Sequence, residues 1–217
     1  MKLPDFSRLF GLQRDNDATG RQMAEIRGRF DALRTRHEDG TAPQAVSAYQ
    51  LFQTPVALAA RLVALIAPMP GTRILEPSAG LGRIIDALDA FEPSEIIAVE
   101  NSPDCARFLF NERPQVTLKQ RDFLALDPSE IEPVDFVAMN PPFHMRADIR
   151  HIMHALEFLK PGGSLAALCM DTAHRRKVLR PLCSHWELIP AGTFAESGTQ
   201  TATVLLRIDA PQETAQP

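Results

Sequence analysis

Asn140-Pro141-Pro142-Phe143 directly follows the largely apolar stretch Val134-Asp135-Phe136-Val137-Ala138-Met139. This order places a side-chain amide and a carbonyl between two prolines at the tip of a buried strand. Each proline holds φ near about −65° and lacks an N–H, so the turn is stiff and the Pro141 carbonyl is presented outward rather than spent in a sheet ladder. Two acceptors then converge on one spot, with the Phe143 ring beside them. Such a site suits a planar substrate bearing an NH2 group. Asn140 Oδ1 and the Pro141 carbonyl would each accept one N–H, Phe143 would stack on the ring, and the nitrogen lone pair would be aimed for attack. A strand followed by Asn-Pro is also an ordinary turn, so the other strand ends must decide between the two readings.

Those ends are set by an alternation of short apolar runs with helical patterns. Strands are expected at Arg73–Glu76, Glu95–Glu100, Val116–Arg121, Val134–Met139 and Ser164–Met170. Helices are expected at Arg83–Leu88, Pro103–Asn111, Asp148–Leu159 and Thr172–Cys183. The alternation implies crossovers and a mostly parallel sheet with helices on both faces. Trp186–Pro190 and Thr201–Ile208 follow without a helix between them. As a hairpin they would complete a seven-stranded sheet with one antiparallel strand. Before the sheet, Thr54-Pro55 opens a helix with the apolar face Val56, Leu58, Ala59, Leu62, Val63, Leu65 and Ile66, the Thr read as N-cap and the Pro as first turn. Residues 1–48 form an N-terminal extension carrying one amphipathic helix, with Met23, Ile26, Phe30 and Leu33 among Arg21, Arg27, Arg29, Arg34 and Arg36. Residues 49–209 form the main domain, and 210–217 a polar tail expected to be disordered.

Open α/β sheets bind ligands at the carboxyl ends of their strands, near the point where strand order reverses. After the first strand comes Glu76-Pro77-Ser78-Ala79-Gly80-Leu81-Gly82-Arg83, a turn of small residues in which Gly80 and Gly82 admit close approach of a ligand to the backbone. The third glycine of a dinucleotide fingerprint is replaced by Ile85. After the second strand, Glu100 could accept both hydroxyls of a ribose, with Asn101 and Ser102 beside it as contacts or helix caps. After the third, Asp122 could accept an adenine amine and Phe123 line the ring. Three polar stops, each after its own strand and joined by Asn140 after the fourth, outweigh the simple-turn reading.

At these residues the chain resembles the S-adenosylmethionine-dependent methyltransferases of the Rossmann-like class, and within it the DNA adenine-N6 group. The resemblance runs from about Tyr49 to Ile208. Glu76-Pro77-Ser78-Ala79-Gly80-Leu81-Gly82 resembles the family's methionine loop, Glu100 its ribose acid, Asp122 its adenine-amine acid, and Asn140-Pro141-Pro142-Phe143 its [DNS]PP[YFW] catalytic motif. Phe52-Gln53-Thr54-Pro55 resembles the F-x-T-P motif at the methionine end, and Phe194 the late aromatic that helps hold a flipped base. The resemblance implies S-adenosylmethionine as cofactor and methyl transfer to an exocyclic amine, adenine N6 in DNA first. RNA adenine N6 or guanine N2, protein glutamine, and a non-catalytic cofactor-binding module follow in that order. His144 after the motif is similar to the NPPFH of ribosomal RNA guanine-N2 enzymes. The chain departs from the DNA group in having no obvious target-recognition domain, so specificity is expected to be relaxed or supplied by a partner or a homodimer.

Bulk properties do not announce a nucleic-acid binder, so any such binding needs a local basic patch rather than a global field. Net charge is −4, with 45% hydrophobic and 23% charged residues among 217. A local rim would come from Arg146, Arg175, Arg176 and Lys177, with His144 at the substrate. No apolar run approaches the roughly 20 residues of a membrane helix, and Pro4 and Asp5 interrupt any signal segment, so a cytoplasmic protein is expected. Cys105, Cys169 and Cys183 are too few and too scattered for a disulfide framework. His151 and His154 have helical spacing but no third ligand nearby, so no metal is expected and both read as packing or surface histidines.

Overall fold

The computed structural model describes residues 53–190, 193 and 202–212. The expected helix within 1–48, Phe52 and Phe194 lie outside the described residues. Seven strands form one sheet: β1 (Arg73–Glu76), β2 (Glu95–Glu100), β3 (Thr117–Gln120), β4 (Val134–Met139), β5 (Leu159–Met170), β6 (His185–Ile189) and β7 (Thr203–Asp209). Their order is β3-β2-β1-β4-β5-β7-β6. Neighbours from β3 to β5 pair parallel, whereas β7 runs antiparallel to both β5 and β6. The hairpin is therefore formed, and its return strand slots between β5 and the edge strand β6, giving the single antiparallel strand expected.

The two sheet faces carry separate apolar layers because successive side chains alternate. Ile74, Ile96, Ala98, Ala138 and Ala166 face a layer built from α1 (Val56–Ile66), α2 (Arg83–Leu88) and Leu109 of α3 (Pro103–Glu112). Leu75, Ile97, Val99, Val137, Met139 and Leu165 face Ile152 and Ala155 of α4 (Ala147–Ala155), Phe158, and Leu179 of α5 (Ala173–Leu179). Cys105 and Cys169 are buried and Cys183 half-buried, all as free thiols, and burial pushes the Cys105 and Cys183 thiols up to about 11.

Several boundaries differ from expectation, each for a local reason. The helix expected over Thr172–Cys183 ends at Leu179 and continues as a 3-10 turn over Arg180–Leu182, because Pro181 has no N–H and its ring cannot continue the α-ladder. The one expected over Asp148–Leu159 ends at Ala155, and a 3-10 turn over Leu156–Phe158 leads straight into β5. That strand begins before the expected Ser164: Leu159 pairs with Val134, and the ladder resumes with Ser164 opposite Phe136 after a bulge. Within the bulge Gly162 takes φ 75°, and a Cβ on Gly163 would lie 2.8 Å from the Asp135 carbonyl oxygen. The tail expected to be disordered starts as ordered chain: Ala210 N–H donates to the Gly163 carbonyl at 2.8 Å and Gly162 N–H to that of Pro211 at 3.0 Å, so it extends the β5–β7 ladder. Thr54 does not cap α1. The N-cap is Pro55, whose carbonyl accepts from Leu58 and Ala59, and the Thr54 hydroxyl is committed elsewhere.

Gly82 opens α2 with φ 81°, and an added Cβ would stand 2.9 Å from Leu109 Cδ2. Gly82→Ala combines left-handed strain with overpacking against α3, and is expected to destabilise the domain by about 1–3 kcal/mol in a urea titration.

Candidate active site at the carboxyl edge of the sheet

Strand order reverses between β1 and β4, whose helices leave toward opposite faces, so the ends of these two strands open a crevice that neither helix layer covers. Glu76 closes β1 and Asn140 follows β4. The turn after β1 is tied to the neighbouring strand end. Ala79 N–H donates to the Val99 carbonyl at 3.1 Å, and Gly80 N–H donates to Glu100 Oε2 at 2.7 Å. Ser102 N–H donates to Glu100 Oε1 at 2.6 Å. One carboxylate thus fixes both turns. Each of its oxygens retains a further lone pair for a ligand hydroxyl.

Glu76 is buried to 1% exposure, and its Oε2 has no hydrogen-bond partner. Burial, reinforced by the negative charges of Asp86 and Glu100, raises its carboxyl well above the usual carboxylate range, and the Ile85 N–H offsets part of this. Ser78 Oγ and Arg83 Nε are likewise buried without a partner. Buried polar atoms of this kind are ordinarily satisfied, so three at one turn point to a polar ligand.

After β3, Asp122 is exposed and its carboxylate accepts from Leu124 N–H at 3.0 Å, capping a 3-10 turn. Phe123 is buried at 2% exposure, in a ring cluster with His151, His154 and Phe158 at centroid distances of 5.7, 4.9 and 5.4 Å. The expected role of Phe123 in lining a ligand ring gives way to packing. His154 Nε2 meets the Leu126 carbonyl at 2.9 Å, whereas His151 is buried and held down to about 4 chiefly by desolvation.

After β4, Asn140 Nδ2 donates to Thr54 Oγ1 at 3.0 Å, which sets the rotation of the amide from the start of α1. Pro141 is buried, and Phe143 is half-buried against the first apolar layer. Behind Phe143 stands a residue expected on a phosphate-binding rim. Arg175 is instead buried. Its Nε donates to Asp148 Oδ2 at 2.6 Å, and its Nη2 donates both to Asp148 Oδ1 at 2.9 Å and to the Phe143 carbonyl at 3.1 Å. Met170 N–H adds a bond to Asp148 Oδ2 at 3.3 Å. A guanidinium removed from water must find such acceptors, so Arg175 cannot serve phosphates. Arg176 is exposed but pairs with Asp171 through a 2.6 Å bond from Nε. His144, Arg146 and Lys177 remain exposed, as does Asn101.

No family model matches the chain. Two Schizosaccharomyces pombe proteins, an uncharacterized methyltransferase and an uncharacterized methyltransferase-like protein, are each 35% identical to it over 95 and 92 residues, 44% and 42% of this chain. These matches span 38% and 36% of the relatives' own lengths. Among solved structures the fold matches TrmN from Thermus thermophilus, 23% identical with TM-score 0.59 over 75% of this chain and 51% of that one. It also matches an RNA methyltransferase from Salinibacter ruber in complex with S-adenosyl-L-homocysteine, 19% identical with TM-score 0.53 over 76% and 97% of the two chains. A modification subunit of a candidate type I restriction enzyme from Vibrio vulnificus is 16% identical with TM-score 0.64, over 98% and 52%. The fold is the Rossmann-like one that these methyltransferase structures share.

Arg175→Met leaves Asp148 buried without its counter-charge, an expected loss of about 3–5 kcal/mol in chemical denaturation. Combining it with Asp148→Leu removes the stranded charge, and most of that loss should be regained. The raised Glu76 pKa has its own signature. The folded protein holds this proton more tightly than the unfolded chain, so stability is greatest below the ordinary value of 4.5 and is lost as pH rises through the folded value. Melting temperatures measured on the ligand-free protein from pH 4.5 upward should show this decline, and Glu76→Gln should flatten it.

Proposed function

We propose that this chain is an S-adenosylmethionine-dependent methyltransferase acting on the exocyclic amine of a nucleobase, with adenine N6 in DNA as the leading acceptor. The observation that carries the reading is the fixed amide of Asn140 at the reversal point of the sheet, followed by the stiff Pro141-Pro142-Phe143 turn. With its nitrogen turned to Thr54, the planar amide sets Oδ1 on the opposite side, where it and the Pro141 carbonyl would accept the two hydrogens of an amine. This favours a more tetrahedral nitrogen and raises its nucleophilicity without a strong base. Phe143 would stack on the ring and hold it in the near-attack position.

The residues of the first two strand ends fit the cofactor. Buried Glu76 suits a cationic amino group, the Gly80–Gly82 turn admits an amino-acid moiety against the backbone, and Glu100 has lone pairs left for ribose hydroxyls. Asp122, exposed at the next strand end, suits an adenine amine. When bound, the cofactor supplies a sulfonium methyl that is already electrophilic. The protein's task is then alignment. The Salinibacter neighbour is an RNA methyltransferase, and this supports RNA as the second acceptor. Its fold is shared with the restriction-enzyme subunit from Vibrio, so shape alone does not rank the two.

Parallel assays of methyl transfer from labelled S-adenosylmethionine to DNA, RNA and protein, with nucleoside analysis of the product, test the reading. N6-methyladenine in DNA is the expected result, and label confined to protein overturns it. Asn140→Ala should lower turnover by about 10²–10³-fold, as expected for loss of a hydrogen-bonding group used in the transition state. Cofactor affinity should change by less than about threefold, since the amide acts on the acceptor.

A further inference from the structure

The segment between Phe143 and α4 has an unusual construction. Met145 has φ 48° and ψ 31°, and Arg146 has φ 61° and ψ 27°. Two successive non-glycine residues therefore occupy the left-handed region, which neither side chain favours and from which neither gains the local hydrogen bond that an Asn would. Strain of this sort persists only where the surroundings impose it. Here one guanidinium does so: Arg175 Nη2 holds the Phe143 carbonyl on one side of the segment and Asp148 on the other, at 3.1 and 2.9 Å. The chain must reverse within His144-Met145-Arg146 to reach both anchors.

What this rigid reversal displays is a methionine at 86% exposure, the most exposed of the large apolar side chains among the described residues. It buries almost nothing in the protein, so its apolar surface is available to a ligand. Exposed His144, Arg146 and Arg150 lie on either side in sequence. An unbranched, polarizable side chain followed by the cations Arg146 and Arg150, immediately after the motif that would hold the target amine, matches the chemistry of a wedge between stacked bases with phosphates alongside.

We propose that Met145 is such a wedge. It enters the base stack of a DNA duplex where the target nucleotide leaves it and holds the gap open while the extruded base occupies the site at Asn140. The inference rests on the nucleobase reading above and adds to it the element that opens a paired substrate. An unpaired strand needs no such opening, so the effect of losing the wedge depends on pairing.

The test compares full-length wild type, Met145→Ala and Met145→Gly on a mixed-sequence DNA duplex and on the same strands unpaired, with melting temperature measured for each protein. Both variants are expected to lose about tenfold or more in kcat/KM on the duplex and less than about twofold on single strands, since only the duplex requires unstacking. Met145→Gly should melt no lower than wild type, because glycine accepts the left-handed backbone without strain. Equal loss on both substrates, no loss on the duplex, or a wild type that methylates only unpaired strands overturns the wedge while leaving the amine chemistry standing. A wild type that labels no nucleic acid but labels protein overturns the nucleobase reading itself, and the wedge with it.

Discussion

The architecture depends on one topological constraint: the parallel strands β1 and β4 lie side by side while their connections depart to opposite faces. Right-handed crossovers permit no helix to cover both strand ends at such a point. The exposed ends are thus unavoidable, and they are where the candidate site residues of β1 and β4 stand. Glu76 and Asn140 sit on the two strands that flank the reversal. Glu100, one strand further out, reaches back through Gly80 N–H at 2.7 Å to make the first turn part of the same frame. The apolar layers on the two faces carry stability, and the edge between them is where the proposed site lies.

A cleft formed in this way has walls but no floor plan, and the plan is supplied by polar bonds that span long sequence distances. Thr54 sets the Asn140 amide from 86 residues away, and Arg175 fixes the Phe143 carbonyl from 32 residues away. The second of these carries a large desolvation cost. Replacing the Asp148–Arg175 pair by hydrocarbon would by ordinary accounting be neutral or stabilising. What apolar residues could not provide is a donor to a backbone carbonyl at the end of the Pro-Pro turn. The pair is best understood as positional: it converts a loop that would sample many conformations into one that presents a fixed face. The strain at Met145 and Arg146 is a consequence of that fixation.

The sequence made the sheet legible because its signals are local. Four of the expected elements, Arg73–Glu76, Arg83–Leu88, Glu95–Glu100 and Val134–Met139, are observed with the same bounds, since apolar runs flanked by Gly, Pro and Ser leave little freedom in where a strand or short helix stops. The bulge in β5 was not legible, because Lys160-Pro161-Gly162-Gly163 reads as a turn and pairs only through the bend that Gly162 permits. The site residues taken from strand ends stand at strand ends. The failures concern side chains whose role is set by a distant partner. Arg175 sits in the run His174-Arg175-Arg176-Lys177, which by charge alone resembles a solvated basic face. Nothing in that spacing marks one of its members as buried against Asp148. Phe123 follows an acid at a strand end and so invited a ligand role, yet two histidines and Phe158 close around it. Thr54 has the residue type and position of an N-cap, but Pro55 fills that place and releases the hydroxyl for Asn140.

Losing Arg175 from the basic rim, and engaging Arg176 with Asp171, alters how a polyanion would be held. Among the described residues, the exposed cations left for that role are Arg146, Arg150 and Lys177, on a chain of net charge −4. Each phosphate contact contributes affinity by releasing counterions, and three such contacts give a shallow dependence on salt compared with a protein gripping six to ten. On the proposed reading, electrostatics of that size steers a nucleic acid and leaves much of its affinity to other contacts. The remainder, on that reading, comes from apolar and stacking contacts, for which Phe143 and Met145 are surfaces among the described residues. Stacking does not discriminate among sequences. On the proposed reading, a chain that relies on it, and on a handful of phosphates, has its chemistry built in and its choice of target left to other contacts.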